Sequence, residues 1–262
     1  MMQPFTPALE RNKIRESVLT AVAAPERIAT GELHVWWWKT PDGADPAGLH
    51  LLGPDEQRRV SKMRKPQTIA DYITGRTMVR RILAELLGVT PGEIVFGRLA
   101  CPDCGDLGHG PPTVIRPQTP LRISLSRTAG CGVLAVAGYP IGVDVEGARS
   151  LDVDLLGSVV LTPRERALLL GRGDPRTSLK TFYRCWTRKE AILKAVGIGI
   201  VAPMNRLDVQ PEVLEPVTVR AGVSGSPRPW RIEDLSLTEP WTAAVAYPAG
   251  MSATVRLEEI VP

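Results

Sequence analysis

The feature that most constrains this chain is an internal repeat. Leu52-Gly-Pro54-Asp-Glu56 reappears as Leu161-Thr-Pro163-Arg-Glu165, an offset of 109 residues. The same offset carries Gly88 onto Gly197, Arg80 onto Lys189, Leu83 onto Ile192, and Leu134-Ala-Val-Ala137 onto Ala243-Ala-Val-Ala246. Five matches in one order imply a duplicated unit. The expected fold class is α+β: two similar α/β halves, residues 31–140 and 141–262, related by a pseudo-twofold axis and built on antiparallel sheets. Residues 1–30 form an N-terminal extension.

Local patterns give each half the same parts. An apolar strand opens it, at residues 33–38 and at 141–146. A short capped helix follows. In the second copy Thr162 is the N-cap, Pro163 occupies the first helical position, Glu165 completes a capping box and Gly171 ends the helix. A longer helix comes next, with Tyr72, Val79, Ile82, Leu83 and Leu86 at helical spacing and Gly88 as its stop; residues 179–196 are its counterpart. Strands at 121–126 and 133–137, and at 217–220 and 242–246, close the halves. Pro- and Gly-rich stretches at 41–46, 101–120 and 171–175 read as loops. Consecutive strand residues face opposite ways, so Trp36-Trp37-Trp38 reads as two-sided core packing and not as a platform for stacking bases.

Charge and cysteine content narrow the chemistry. The chain has 262 residues, a formal net charge of +4 and a pI near 9.0. Such a surface attracts an anion, whether nucleic acid, nucleotide or acidic protein. Basic residues gather at Arg58, Arg59, Lys62, Arg64 and Lys65, and at Arg76, Arg80 and Arg81. The first thirty residues contain no apolar stretch long enough for a signal or a membrane span, so the expected location is the cytoplasm. There, Cys101, Cys104, Cys131 and Cys185 are expected as reduced thiols and not as a disulfide framework.

Two segments carry chemistry. In Ile141-Gly-Val-Asp144-Val-Glu146 the strand period puts both carboxylates on one face, about 6.5–7 Å apart along the backbone. In Trp186-Thr-Arg-Lys189-Glu190-Ala-Ile-Leu-Lys194 the helical period aligns Trp186, Glu190 and Lys194. Either segment alone fits an ordinary exposed strand or a surface ion pair. The repeat favours function, because the first copy has Val35, Trp37 and Arg81 where the second has Asp144, Glu146 and Glu190. Shared structural duties would persist in both copies, whereas one asymmetric site needs its acids once. Oxygen ligands of this kind suit a hard divalent cation that also holds substrate phosphates.

This pairing, Gly142-Val-Asp144-Val-Glu146 followed by Trp186-Thr-Arg-Lys189-Glu190-Ala-Ile-Leu-Lys194, resembles the signature of Sfp-type 4′-phosphopantetheinyl transferases, over residues 33–247. The resemblance implies the 4′-phosphopantetheinyl transferase fold with an active site between its two halves. It implies a holo-carrier-protein synthase activity that moves phosphopantetheine from coenzyme A to a serine of an acyl or peptidyl carrier protein, releases adenosine 3′,5′-bisphosphate, and serves secondary metabolite biosynthesis. By the same resemblance Asp144, Glu146 and Glu190 hold Mg²⁺, or Mn²⁺ in its place, and Glu190 and Lys194 are catalytic. The coenzyme A residues would be Lys62, Lys65, Arg76, His109, Gly110, Pro112, Ser126, Arg127, Asp144 and Lys194. A monomer with neither nucleic-acid nor membrane partners is implied. Two positions depart from the pattern: Arg127 stands where the family usually has histidine, and Asp71 where many members have a basic residue. Arginine keeps the charge needed for a phosphate.

Two other readings compete. Cys101-Pro-Asp-Cys104-Gly with His109 nearby resembles half a zinc ribbon, as in a basic nucleic-acid-binding module, but lacks a second ligand pair. A tight loop with small buried cysteines is the plainer expectation there. Carboxylates beside basic groups would equally serve a metal-dependent phosphohydrolase acting on nucleotides.

Overall fold

Each half of the chain lays a long helix across one face of a sheet, and the free faces of the two sheets meet. The computed structural model describes residue 28 and residues 31–43, 46–149, 151–171, 174–199, 203–222, 228–251 and 253–262. Apart from Ile28, the expected N-terminal extension lies outside the described residues. The first half runs β1 (Leu33–Lys39), α1 (Pro54–Val60), α2 (Pro66–Leu87), β2 (Val95–Arg98), β3 (Pro112–Arg116), β4 (Arg122–Thr128) and β5 (Cys131–Ala137). The second runs β6 (Gly142–Gly147), α3 (Val153–Val160), α4 (Pro163–Leu170), α5 (Pro175–Val196), β7 (Val217–Arg220), β8 (Pro229–Leu235), β9 (Trp241–Pro248) and β10 (Val255–Glu259).

One four-stranded sheet has the order β10-β1-β5-β4 and the other β6-β9-β8-β7, while β2 and β3 form a separate hairpin. Residues 255–259, assigned by sequence to the second half, pair with β1 in parallel, Leu33 opposite Val255 and Trp37 opposite Glu259. The remaining pairs are antiparallel. Nothing local announces β10, because Val-Arg-Leu-Glu-Glu is short and charged, as edge strands are. Residues 112–116, within the stretch 101–120 expected as loop, form β3.

Burial follows the layering. Trp36 and Trp38 join Val79, Leu83 and Leu86 of α2 in one core, whereas Trp37 turns to the second core between the sheets, with Val35, Val133, Val143, Val145 and Val245. A strand covered on both faces reads as an unbroken apolar run, which explains residues 33–38. A third core lies between α5 and the outer face of the second sheet. Side chains in such cores each contribute roughly 1.5–3 kcal/mol through burial.

The duplication persists in detail. Glu56 accepts from the backbone N–H of Gly53 at 2.9 Å, and Glu165 from that of Thr162 at 2.8 Å; only Thr162 has a side chain to complete the capping box, accepting from the N–H of Glu165 at 3.2 Å. Each acid also binds a cation from the following long helix, Arg80 or Lys189, again 109 residues apart. Gly88 and Gly197 both close their helices with left-handed backbone. No helix among the described residues is long and apolar enough to cross a membrane.

Candidate active site

Strand alternation sends Val143 and Val145 into the inter-sheet core and leaves Asp144 facing α5. The strand and helix approach so closely that a side chain at Gly142 would collide with the carbonyl oxygen of Ala191. This contact brings one turn of α5 onto β6. Asp174 caps α5 through its carboxylate, accepting from the N–H groups of Arg176 and Thr177.

The motif on α5 divides by role. Arg188 is fully buried and donates to Asp234 at 2.7 and 2.9 Å and to the carbonyls of Val209, Gln210 and Val213. Lys189, also fully buried, binds Glu165 and the carbonyls of Val160 and Met204. Both cations hold the second half together. Glu190 and Lys194 instead reach β6. Lys194 Nζ donates to Asp144 Oδ1 at 2.6 Å, to Ser126 Oγ at 3.0 Å and to the carbonyl of Val143 at 3.1 Å. Ser126 Oγ donates to the same Asp144 oxygen at 2.7 Å.

The acids are under electrostatic stress. Burial, then repulsion from Asp144 and Glu146, push the Glu190 carboxyl up to about 7, against the opposing pull of Lys194. Burial and Asp144 raise Glu146 as well. Asp144 Oδ2 and Glu190 Oε1 are buried without a hydrogen-bond partner. Two orphaned carboxylate oxygens beside a third acid form a donor set suited to a hard cation. The three carboxylates are loosely set: among the described residues, the one group of three whose ligand atoms lie within 4.8 Å of one another is Cys101, Cys104 and His109.

A basic cluster lies around the start of α2. Arg127 and Arg59 stack over Tyr72 at 4.7 and 5.6 Å, and Arg76 over Phe96 at 4.3 Å. Burial, followed by Arg59, lowers the Arg127 guanidinium below its ordinary value, and Arg76 adds to the effect. Crowded cations of this kind are relieved by a bound anion.

The family model of the 4′-phosphopantetheinyl transferase superfamily matches residues 140–246, a span holding Asp144, Glu146, Glu190 and Lys194. The chain belongs to this superfamily. It is 29% identical over 228 residues to the 4′-phosphopantetheinyl transferase HetI of Nostoc sp., covering 84% of this chain and 89% of that protein. It is 32% identical over 199 residues to a phosphopantetheinyl transferase of Thraustochytrium sp., covering 70% of this chain and 65% of the relative. With the 4′-phosphopantetheinyl transferase pptA of Paxillus involutus it shares 28% identity over 187 residues, 67% of this chain and 70% of that one.

In this superfamily member the residues expected at coenzyme A occupy three places. Ser126, Asp144 and Lys194 form one hydrogen-bonded group. Lys62 and Lys65 stand exposed before α2, while Arg76 is half-buried and ion-paired with Glu56. His109 and Gly110 lie on the β2–β3 connection, where Arg98 donates to the carbonyl of Gly110 at 2.7 Å, and Pro112 opens β3. A cavity of about 250 Å³ lies beside the contact of that connection with the end of α5, lined by Pro111, Pro112, Ile123, Lys194 and Trp230 among others. A larger one of about 780 Å³ follows the first half of α5, with Arg176, Lys180 and Arg184 in its wall and none of the three acids.

Sequence reasoning overlooked Arg59 and Tyr72 as neighbours of Arg127. It also set Asp71 aside as a departure. Asp71 accepts from Gln67 and from the backbone N–H of Gly130, both at 3.1 Å, pinning the β4–β5 turn to α2. Only long-range pairing reveals that duty.

Proposed function

We propose that this chain transfers the 4′-phosphopantetheine arm of coenzyme A to a serine of an acyl or peptidyl carrier protein and releases adenosine 3′,5′-bisphosphate. The observation carrying this reading is the pair of orphaned oxygens, Asp144 Oδ2 and Glu190 Oε1, beside Lys194 in a member of this superfamily. Asp144, Glu146 and Glu190 would hold a divalent ion, Mg²⁺ or Mn²⁺. Bound there, it would neutralise charge on the pyrophosphate.

The chain's own groups supply the remainder. Glu190, raised to about 7, is matched to accept the proton of the carrier serine near neutral pH. The serine oxygen forms a bond to the phosphorus bearing pantetheine, and that phosphorus releases the oxygen of adenosine bisphosphate. Lys194 stabilises charge on the departing phosphate as it leaves Asp144 for the substrate. Lys62, Lys65, Arg76 and Arg127 would hold the remaining phosphates. Residues 31–140 form the coenzyme A side and 141–262 the metal-binding and catalytic side. Action as a cytoplasmic monomer of the Sfp type in secondary metabolism belongs to the same proposal.

Mass spectrometry of an apo carrier protein incubated with this chain, coenzyme A and Mg²⁺ tests it. The expected result is a mass increase of one phosphopantetheine. Release of adenosine bisphosphate without any carrier, and with the carrier unmodified, would instead support a phosphohydrolase.

A further inference from the structure

The β2–β3 connection brings together three ligand-bearing side chains that the transfer reaction does not require as a group. Cys101 is buried, Cys104 and His109 are exposed, and one ligand atom from each lies within 4.8 Å of the others. Cys104 Sγ stands 3.3 Å from His109 Nε2. The other ring nitrogen, Nδ1, lies 3.3 Å from Asp106 Oδ2, and Asp106 is itself fixed by accepting from the N–H of Gly108 at 2.7 Å.

The backbone is folded to present the sulfurs. The N–H of Gly105 donates to the carbonyl of Cys101 at 2.8 Å and the N–H of Cys101 to the carbonyl of Asp106 at 2.9 Å, closing a turn around the cysteine pair. Cys131 and Cys185 differ, being interior residues of β5 and α5 in apolar surroundings.

We propose that Cys101, Cys104 and His109 bind one zinc ion, which clips the β2–β3 connection into the shape in which it packs on the end of α5. Two sulfurs and an imidazole nitrogen form a borderline-soft donor set that selects zinc over magnesium. Asp106 on Nδ1 orients the ring so that Nε2 faces the metal, the usual outer partner of a zinc-bound histidine. The fourth position opens on the solvent side, where Cys104 and His109 are exposed, and takes a water. The missing second ligand pair thus argues against a zinc ribbon but not against zinc.

The clip has a place to act. Pro102 and Pro111, which flank the cluster, pack so closely on Gly197 that any side chain there would strike both rings. Gly197 ends the helix that carries Glu190 and Lys194. His109, with Nε2 on the metal, would shape the adjoining cavity through the loop and not by touching a nucleotide base. This inference does not depend on the transfer reading.

Elemental analysis of the untagged, full-length protein, purified under reducing conditions, tests the site directly. About one zinc per chain is expected, with Cys104→Ser and His109→Ala each folded by circular dichroism and each falling well below that. Cobalt added to the reduced apoprotein should give the intense visible bands of a tetrahedral thiolate site, absent in Cys104→Ser. Chelation should lower the melting temperature of the wild type and leave Cys104→Ser unchanged. Wild-type protein that neither retains nor takes up zinc at micromolar concentration would overturn the proposal, as would a metal-free Cys101–Cys104 disulfide seen by mass. Stoichiometric zinc whose removal leaves the melting temperature unmoved would overturn the clip.

Discussion

Lys189 and Glu165 form an ion pair that solvent does not reach from either side. Its counterpart in the first half, Arg80 Nη2 on Glu56 Oε2 at 2.7 Å, keeps the same geometry with slight exposure. Removing one partner of a fully buried pair strands the other charge, at a cost of about 3–5 kcal/mol. Lys189→Met should therefore lose about that much stability in urea unfolding, more than Arg80→Met. Equal losses would show that burial does not govern the two pairs.

Glu190 links catalysis to stability. Its folded value, about 7, lies above the ordinary 4.5, so the native state holds the proton more tightly than the unfolded chain does. The stabilising contribution is complete below about 4.5 and is lost as pH rises through about 7. Glu190→Gln should consequently be more stable than wild type at pH 8 in chelator, by roughly 2–3 kcal/mol, and equally stable at pH 4. The same variant should lose transfer by a factor of about 10² or more. Full activity would remove Glu190 from the mechanism, and an unchanged stability difference between the two pH values would remove its strain.

Arg127 stacks on Tyr72 within a crowd of cations. If its guanidinium holds a phosphate of coenzyme A, Arg127→Ala should raise the KM for coenzyme A about tenfold and leave kcat nearly intact, because uniform binding alone is lost. An unchanged KM would place the phosphate elsewhere.

The excess of positive charge predicts a third kinetic effect. Raising the salt from about 0.05 to 0.5 M should weaken association with an acidic carrier protein, mainly through a slower on-rate. Rates of complex formation by stopped flow that ignore salt would count against electrostatic docking.

Much of this architecture was legible because its signals are local. Thr162 and Glu165 announce a capping box from spacing alone, and the three tryptophans declare a strand covered on both faces. The three acids stood out through their absence from the first copy. Arg188 and Lys189 show where such reading stops: they sit in the same motif as Glu190, yet their partners Asp234 and Glu165 lie in other elements, and only packing reveals them as structural. Strands β8 and β10 escaped notice because charged residues on an exposed face or edge dilute a short alternation. The third ligand of the cysteine cluster escaped full weight because its proximity depends on the turn through Gly105, which brings His109 back onto Cys104.

The parallel pairing of β10 with β1 means that the chain crosses from one half to the other twice, once between β5 and β6 and once after β9. Two such tethers suppress the clamshell opening that a single hinge would permit. A cleft so restrained receives its guests in a shape already set, so recognition there should rest on rearranging side chains, with Lys194 exchanging one carboxylate for another anion, and not on swinging whole lobes.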